Sequence, residues 1–284
     1  MVQIRRATPD DAAVCGEICY EAFSKINRDH NFPPDVPSKE VGVGLITTLF
    51  SHPSIYCVVA ESDGRIIGSN CLDERSAIAG IGPITVDPNA QNRGVGRKLM
   101  ETVLDRVEER SFAGARLVQA AFHNRSLSLY ATLGFDIREP LSVMQGPAIK
   151  KTVDGCSVRK ATISDLDACN GVCRKVHGHD RGGELADSIA QGTAVVTERR
   201  GRITGYASSL AFFGHAAGET NADVEALIAA ADGFAGPGIL VPSRNTDLFR
   251  WCLAHGLRVV EPMTLMTRGL YNEPAGAYLC SILY

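Results

Sequence analysis

Gln91-Asn92-Arg93-Gly94-Val95-Gly96 sets two glycines two residues apart, behind a glutamine and an arginine and ahead of Arg97 and Lys98. An apolar run, Ile78 to Val86, precedes the segment, and Leu99, Val103, Leu104 and Val107 recur behind it at helical spacing. The glycines therefore stand where a strand turns into a helix. The first turn of a helix has backbone N–H groups without partners and carries about half a positive charge. Glycine removes the Cβ that would keep a ligand away, and Arg93, Arg97 and Lys98 add cations at the same point. This chemistry suits a phosphate or pyrophosphate. The Walker pattern G-x-x-x-x-G-K-[ST] is absent, and a dinucleotide fingerprint would need glycine where Leu99 stands. A second group with chemistry is Tyr130, inside HNRSLSLYATLGF, His123 to Phe135. A phenol of pKa about 10 can give a proton to a leaving group, although such a tyrosine can equally be an amphipathic core residue.

The elements that must hold these groups follow from the pattern. A short strand and two helices lead to a hairpin, in which Asp63-Gly64 turns between IYCVVAES and IIGSNCLDE. The buried strand Ile78 to Val86, the glycine loop and its helix come next. A strand, ARLVQAAF, then a helix ending before Gly134-Phe135, and a strand, GFDIREPLSVM, complete the unit.

In this order and these residues the chain resembles the GNAT superfamily of N-acetyltransferases over about residues 2–146. Gln91 to Gly96 matches the motif Q/R-x-x-G-x-G/A, which cradles the pyrophosphate of acetyl-CoA in that family, and Leu129-Tyr130 with Gly134-Phe135 fits the family's second motif. The resemblance implies acetyl-CoA as co-substrate and no metal. It implies cofactor contacts at Ile84, Val86, Gln91, Asn92, Arg93, Gly94, Val95, Gly96, Arg97 and Lys98. It further implies direct attack of an amine on the thioester, a backbone N–H between Ile84 and Val86 stabilising the oxyanion, and Tyr130 as general acid. The family often has asparagine seven residues before this tyrosine; here His123 occupies that place and Asn124 follows it. Asn124 is assigned to the cofactor, with helix capping as its other reading.

The acceptor amine is harder to place. A lysine-like amine of pKa about 10.4 costs about 4.6 kcal/mol to deprotonate at neutral pH, so a nearby carboxylate would help. No acid lies on Ile78 to Val86; Asp73, Glu74 and Glu21 are the candidates, each with a solvated-surface alternative. The segment NRDHNFPPDVP, Asn27 to Pro37, is stiffened by proline and carries Asp29, His30 and Asp35. It suits a cationic amine, and reads equally as an ordinary loop.

The chain also repeats itself. Arg5, Ala7, Thr8, Asp11, Cys15 and Cys19 match Arg159, Ala161, Thr162, Asp165, Cys169 and Cys173 at one constant offset. Arg200-Gly201 answers the Asp63-Gly64 turn, and Gly256 to Met266, GLRVVEPMTLM, aligns without a gap on Gly134 to Met144. The second copy is shorter, much of the loss falling in the region of the first two helices and after the hairpin; the glycine loop has no counterpart, and Cys252 stands where Tyr130 stands. The fold expected is α/β: two tandem GNAT-like units, 1–150 and 155–284, each a mixed, mostly antiparallel sheet flanked by helices. The first would bind acetyl-CoA and do the chemistry. The second, degenerate, would shape or support the acceptor site, as in two-part bacterial acetyltransferases such as the YitH-like group. The closing YNEPAGAYLCSILY reads as a strand docked in the second sheet, or over the cleft of the first unit.

Composition excludes other classes. The 284 residues are 45% hydrophobic and 21% charged, with a net charge of -3, which does not suit a protein that coats nucleic acid. No apolar run approaches the about 18 residues of a membrane span, and the start lacks a secretory signal. The nine cysteines form no extracellular framework. Cys173 with His177 and His179 lacks the second ligand pair of a zinc site. The reading is a cytoplasmic N-acetyltransferase acting on a small-molecule primary amine, without nucleic-acid or membrane partners; oligomeric state is not legible. The alternatives are a non-catalytic acyl-CoA-binding regulator and a protein N-acetyltransferase.

Overall fold

The computed structural model describes residues 2–283. In the first half, β1 (Gln3–Arg6) leads to α1 (Ala12–Asp29) and α2 (Lys39–Ser51). Then come β2 (Ile55–Ser62), β3 (Arg65–Asp73), β4 (Ile78–Ile81), β5 (Thr85–Val86), α3 (Val95–Glu109), β6 (Gly114–Ala120), α4 (Asn124–Thr132) and β7 (Asp136–Gln145). The second half runs β8 (Ser157–Lys160), α5 (Leu166–His177), α6 (Gly182–Ala190), β9 (Val195–Arg199), β10 (Arg202–Ala207) and β11 (Ala216–Gly218). It closes with α7 (Asn221–Ala230), β12 (Ile239–Pro242), α8 (Thr246–Ala254), β13 (Arg258–Gly269) and β14 (Ala277–Leu279).

The repeated residues are the ones that start each half. Arg5 forks onto Asp11 at 2.7 and 2.8 Å and onto Glu61, while Asp11 also accepts from the Thr8 backbone at 2.8 Å. Arg159, Asp165, Glu198 and Thr162 rebuild the same cluster. The bidentate pairs fix the angle at which each first strand enters its helix. The matched cysteines Cys15, Cys19, Cys169 and Cys173 are buried in the two helix–sheet cores. Both hairpins have positive φ at both turn residues, Asp63 and Gly64, then Arg200 and Gly201, the turn that suits twisted strands.

Among the described residues the strands form two sheets, of nine and five strands. The large one runs β1-β2-β3-β4-β6-β13-β7-β12, with β5 beside β3. Its order crosses the middle of the chain: β13, from the second half, lies between β6 and β7, and β7 pairs in turn with β12. The exchange is reciprocal. Leu117 to Ala120 of β6 face Met266 to Met263 of β13, and the repeat-equivalent β12 residues Ile239 to Pro242 face Met144 to Leu141 of β7. The five-stranded sheet, β14-β11-β10-β9-β8, belongs to the second half.

The run Ile78 to Val86 is not one strand. Pro83 cannot donate to a ladder and Gly82 sits at φ 139°, so the chain breaks into β4 and β5. β4 pairs with β6 in parallel only from Ile78 to Gly80. Beyond that point β5 goes to β3 while β6 goes to β13, and the sheet opens into a wedge.

Candidate active site

The wedge is the mouth of a cavity of about 460 Å³. One wall is Ile81 to Val86, the other Leu117 to Ala120, and the glycine loop and α4 close one end. Asp87 N–H donates to Ile67 O at 2.9 Å, so strand alternation turns the N–H groups of Ile84 and Val86 towards the open side. Leu99, Met100, Val103, Leu104 and Val107 bury one face of α3 and anchor its start beside the wedge.

The two glycines have different reasons. Gly94 has φ +80°, a conformation that L side chains rarely adopt, and open space around it. Gly96 is at the start of α3, where a Cβ would meet only Leu129 at 3.7 Å and Val86 at 3.9 Å, ordinary contacts. The protein itself thus has room for alanine at 96, and the space a Cβ would take belongs to the cavity. Lys98 N–H makes the first helical bond, to Gly94 O at 3.1 Å, which leaves the preceding N–H groups for a ligand. A pyrophosphate fits this cradle.

Side chains hold the loop in place. Gln91 Nε2 donates to Val86 O at 3.2 Å, and Arg125 donates to Asn92 Oδ1 and Gln91 Oε1, both at 3.0 Å. Arg125 was not among the sequence candidates, and its neighbours in the sequence do not mark it. Gln91, Asn92, Gly94, Val95, Gly96 and Arg97 line the cavity with Ile84 and Val86. Arg93 and Lys98 do not: Arg93 is exposed, and Lys98 reaches back to Val2 O at 3.3 Å. Asn124 is the first residue of α4 and lies off the cavity, whereas His123 lines it. Burial first, then Arg125, lowers the His123 pKa to about 4, so this imidazole is neutral.

Tyr130 is buried on α4, lines the cavity, and packs edge-on to Phe135 at 6.3 Å. Burial pushes its pKa well above 10, which keeps the phenol protonated.

Of the acceptor candidates, Asp29 and Asp35 line the cavity. Asp29 is paired with Lys25 at 2.5 Å. His30 packs with its ring tilted against Phe122, centroids 5.3 Å apart, outside the lining. Glu21 and Glu74 are not brought to the cleft. Glu21 is exposed beside Lys39, and Glu74 is bound by Arg106 at 2.7 Å, at the far end of β3. Asp73 is gripped by Arg75.

The second half contributes Phe212, Phe213, Met263, Ile282 and Leu283 to the lining. β14 docks on β11 as a strand, and the residues after it cross to the cleft, with Ile282 N–H on Phe212 O at 2.9 Å; both readings of the tail hold, Tyr284 lying outside the described residues. Glu261 of β13, not among the sequence candidates, faces Asp35, the two carboxyls within hydrogen-bonding reach. The signal was present in the repeat, where Glu261 is the counterpart of Glu139.

Residues 20–135 match the acetyltransferase (GNAT) family. A Pyrococcus horikoshii structure classed as an acetyltransferase superposes with TM-score 0.75 at 21% identity, covering 97% of this chain and 94% of its own. A tandem GNAT protein from the clavulanic acid biosynthesis pathway gives 0.57 at 12% identity, covering 95% and 98%. At these identities the likeness is one of fold, a tandem GNAT fold. Among curated proteins, the [ribosomal protein bS18]-alanine N-acetyltransferase of Escherichia coli K12 is 40% identical over 53 residues, 19% of this chain. The match spans 36% of that relative's length. Among the described residues no helix is long and apolar enough to cross a membrane.

Proposed function

We propose that this protein transfers an acetyl group from acetyl-CoA to a primary amine of a small molecule, with the chemistry in residues 1–150 and the acceptor end completed by 155–284. One observation carries the reading. The strand wedge has the glycine loop at one end, Tyr130 in its wall, and apolar residues of the second half over the rest. Acetyl-CoA supplies an acetyl group as a thioester, open to attack by an amine. The N–H groups ahead of Lys98 bind the pyrophosphate, and Gly96 lets it reach the backbone. The outward N–H groups of Ile84 and Val86 hold the carbonyl oxygen as it gains charge. Tyr130, kept protonated by its burial, gives its proton to the departing sulfur.

The same junction in the second half supports the division of labour. There Asp223 is fully buried at the start of α7, accepting from Thr220 N at 2.9 Å and Thr204 Oγ1 at 2.5 Å and pairing with Arg199 at 2.9 Å. That helix start is closed by its own capping box, Thr220 with Asp223, whereas the start of α3 at Gly94 carries no side-chain cap. A second reading, acetylation of a protein amino terminus, is favoured by the 53-residue match to the bS18-alanine enzyme. Phe212, Phe213, Ile282 and Leu283 narrow the acceptor end and favour the small molecule.

Calorimetry with acetyl-CoA should give one site per chain, and thiol release should follow addition of a primary amine from a panel. Tyr130→Phe should keep acetyl-CoA affinity and lose roughly 10²-fold or more in kcat. No acetyl-CoA binding, or an unchanged kcat in Tyr130→Phe, would overturn this reading. Turnover of a ribosomal peptide in preference to every small amine would decide for the second reading.

A further inference from the structure

We infer that Asp35 and Glu261, one carboxyl from each half of the chain, form an ammonium-binding end of the cleft that selects small amines carrying a positive charge in water. The inference rests on the acetyl-transfer reading and names its substrate class. Glu261 is 1% exposed, and apart from the facing carboxyl of Asp35 neither of its carboxyl oxygens has a hydrogen-bond partner, nor does Oδ1 of Asp35. Buried oxygens left without donors are costly, and each calls for an explanation. Once the proton they share is lost, these three oxygens are acceptors without donors, enough for the three N–H groups of a primary ammonium. Asp35 and Met263 line the cavity, and Glu261, two residues from Met263 on the same face of β13, is not itself in the lining but faces Asp35.

The repeat supplies an internal control. Glu139, the counterpart of Glu261, is just as buried but is satisfied: Arg244 donates to it from its backbone at 3.2 Å and from Nε at 2.8 Å. The local frame is the same in both copies, since Ser243 N–H donates to Pro140 O at 2.8 Å and Ala121 N–H to Pro262 O at 3.0 Å. At the position of Arg244, however, the first half has Phe122, stacked on Phe32 at 4.2 Å. The copy with the cleft keeps the carboxylate and lacks the arginine, so without a cation from outside the chain its charge is met only by the proton it shares with Asp35.

Burial, then the facing carboxyl of Asp35, pushes Glu261 up to about 9, and burial raises Asp35 as well, so at neutral pH the pair shares a proton. Lys25, Asp29, His123, Arg97 and Arg125 line the same cavity, and Cys19 is close to Asp35. Binding of an ammonium displaces the shared proton to solvent. The ammonium then passes one proton to the pair and attacks as the neutral amine. The N–C bond forms, the C–S bond breaks, and the second amine proton replaces the one that Tyr130 gives to sulfur.

The test is calorimetry on the full chain saturated with CoA, at pH 7.5, in phosphate and in Tris, with 2-phenylethylamine and its neutral analogue 2-phenylethanol. The amine should bind about tenfold or more tightly than the alcohol, as charge-assisted hydrogen bonds require, and should release close to one proton. Glu261→Gln and Asp35→Asn should each abolish the preference and the proton release, raise the amine KM about tenfold, and leave CoA at one site per chain. Asp35 is on a loop, so Asp35→Asn carries the test should Glu261→Gln not fold. Binding of neither ligand, equal binding of both, or a preference that survives the variants overturns the pair while the transfer reading stands. A chain that binds no CoA overturns the transfer reading itself.

Discussion

Replacing the two glycines one at a time should separate backbone strain from ligand contact. At Gly96 the added methyl meets Leu129 at 3.7 Å and Val86 at 3.9 Å, so the fold need not move. Alanine in place of glycine near a helix start should stabilise by about 0.5 kcal/mol, or about 1 °C in Tm for a chain of this size. The methyl nevertheless projects into the space that a pyrophosphate would fill. Overpacking of about 1–3 kcal/mol there weakens acetyl-CoA roughly 5- to 150-fold. At Gly94 the order reverses. Its φ of +80° makes alanine cost about 1–2 kcal/mol, a fall of roughly 2–5 °C in Tm. A thermal melt without ligand and a calorimetric titration with acetyl-CoA, on both variants, read the two effects. The reasoning fails if Gly96→Ala binds acetyl-CoA within about twofold of the parent chain, or if its affinity falls only as its Tm falls.

Two further outcomes follow from the same geometry. The hydrogen bonds from Arg5 hold Asp11 down from 3.8 to about 2, and Arg159 lowers Asp165 in the same way. Stability from these acids is fully present above pH about 4 and is lost as pH falls towards 2. Asp11→Asn should therefore melt lower than the parent chain at pH 6, with a gap that narrows by pH 2.5. Phe213 is 42% exposed and lines the cavity from the second half, so Phe213→Ala should fold normally, keep its acetyl-CoA affinity and raise the amine KM several-fold. An unchanged amine KM would remove that residue from the acceptor site.

Much of this protein was legible in its sequence because the signals are local. A glycine loop between an apolar run and an amphipathic helix and an Asp-Gly turn act over a few residues, and each reports its own backbone geometry. The repeat reported the two-part plan in the same way, and charge and loop chemistry made Asp35 a candidate. What needed the tertiary structure was every pairing between distant segments. Gly82-Pro83 marks a break in the run Ile78 to Val86, but not that the sheet opens there, because the wedge depends on β5 and β6 finding other partners. Glu74 looks like a candidate base until Arg106 is seen to bind it. The exchange of β7 and β13 between the halves is the largest of these, since hydrogen-bond register carries no sequence label and two equivalent strands could close either sheet. That exchange brings Glu261 against Asp35, joining residues far apart in the chain into one end of the cleft.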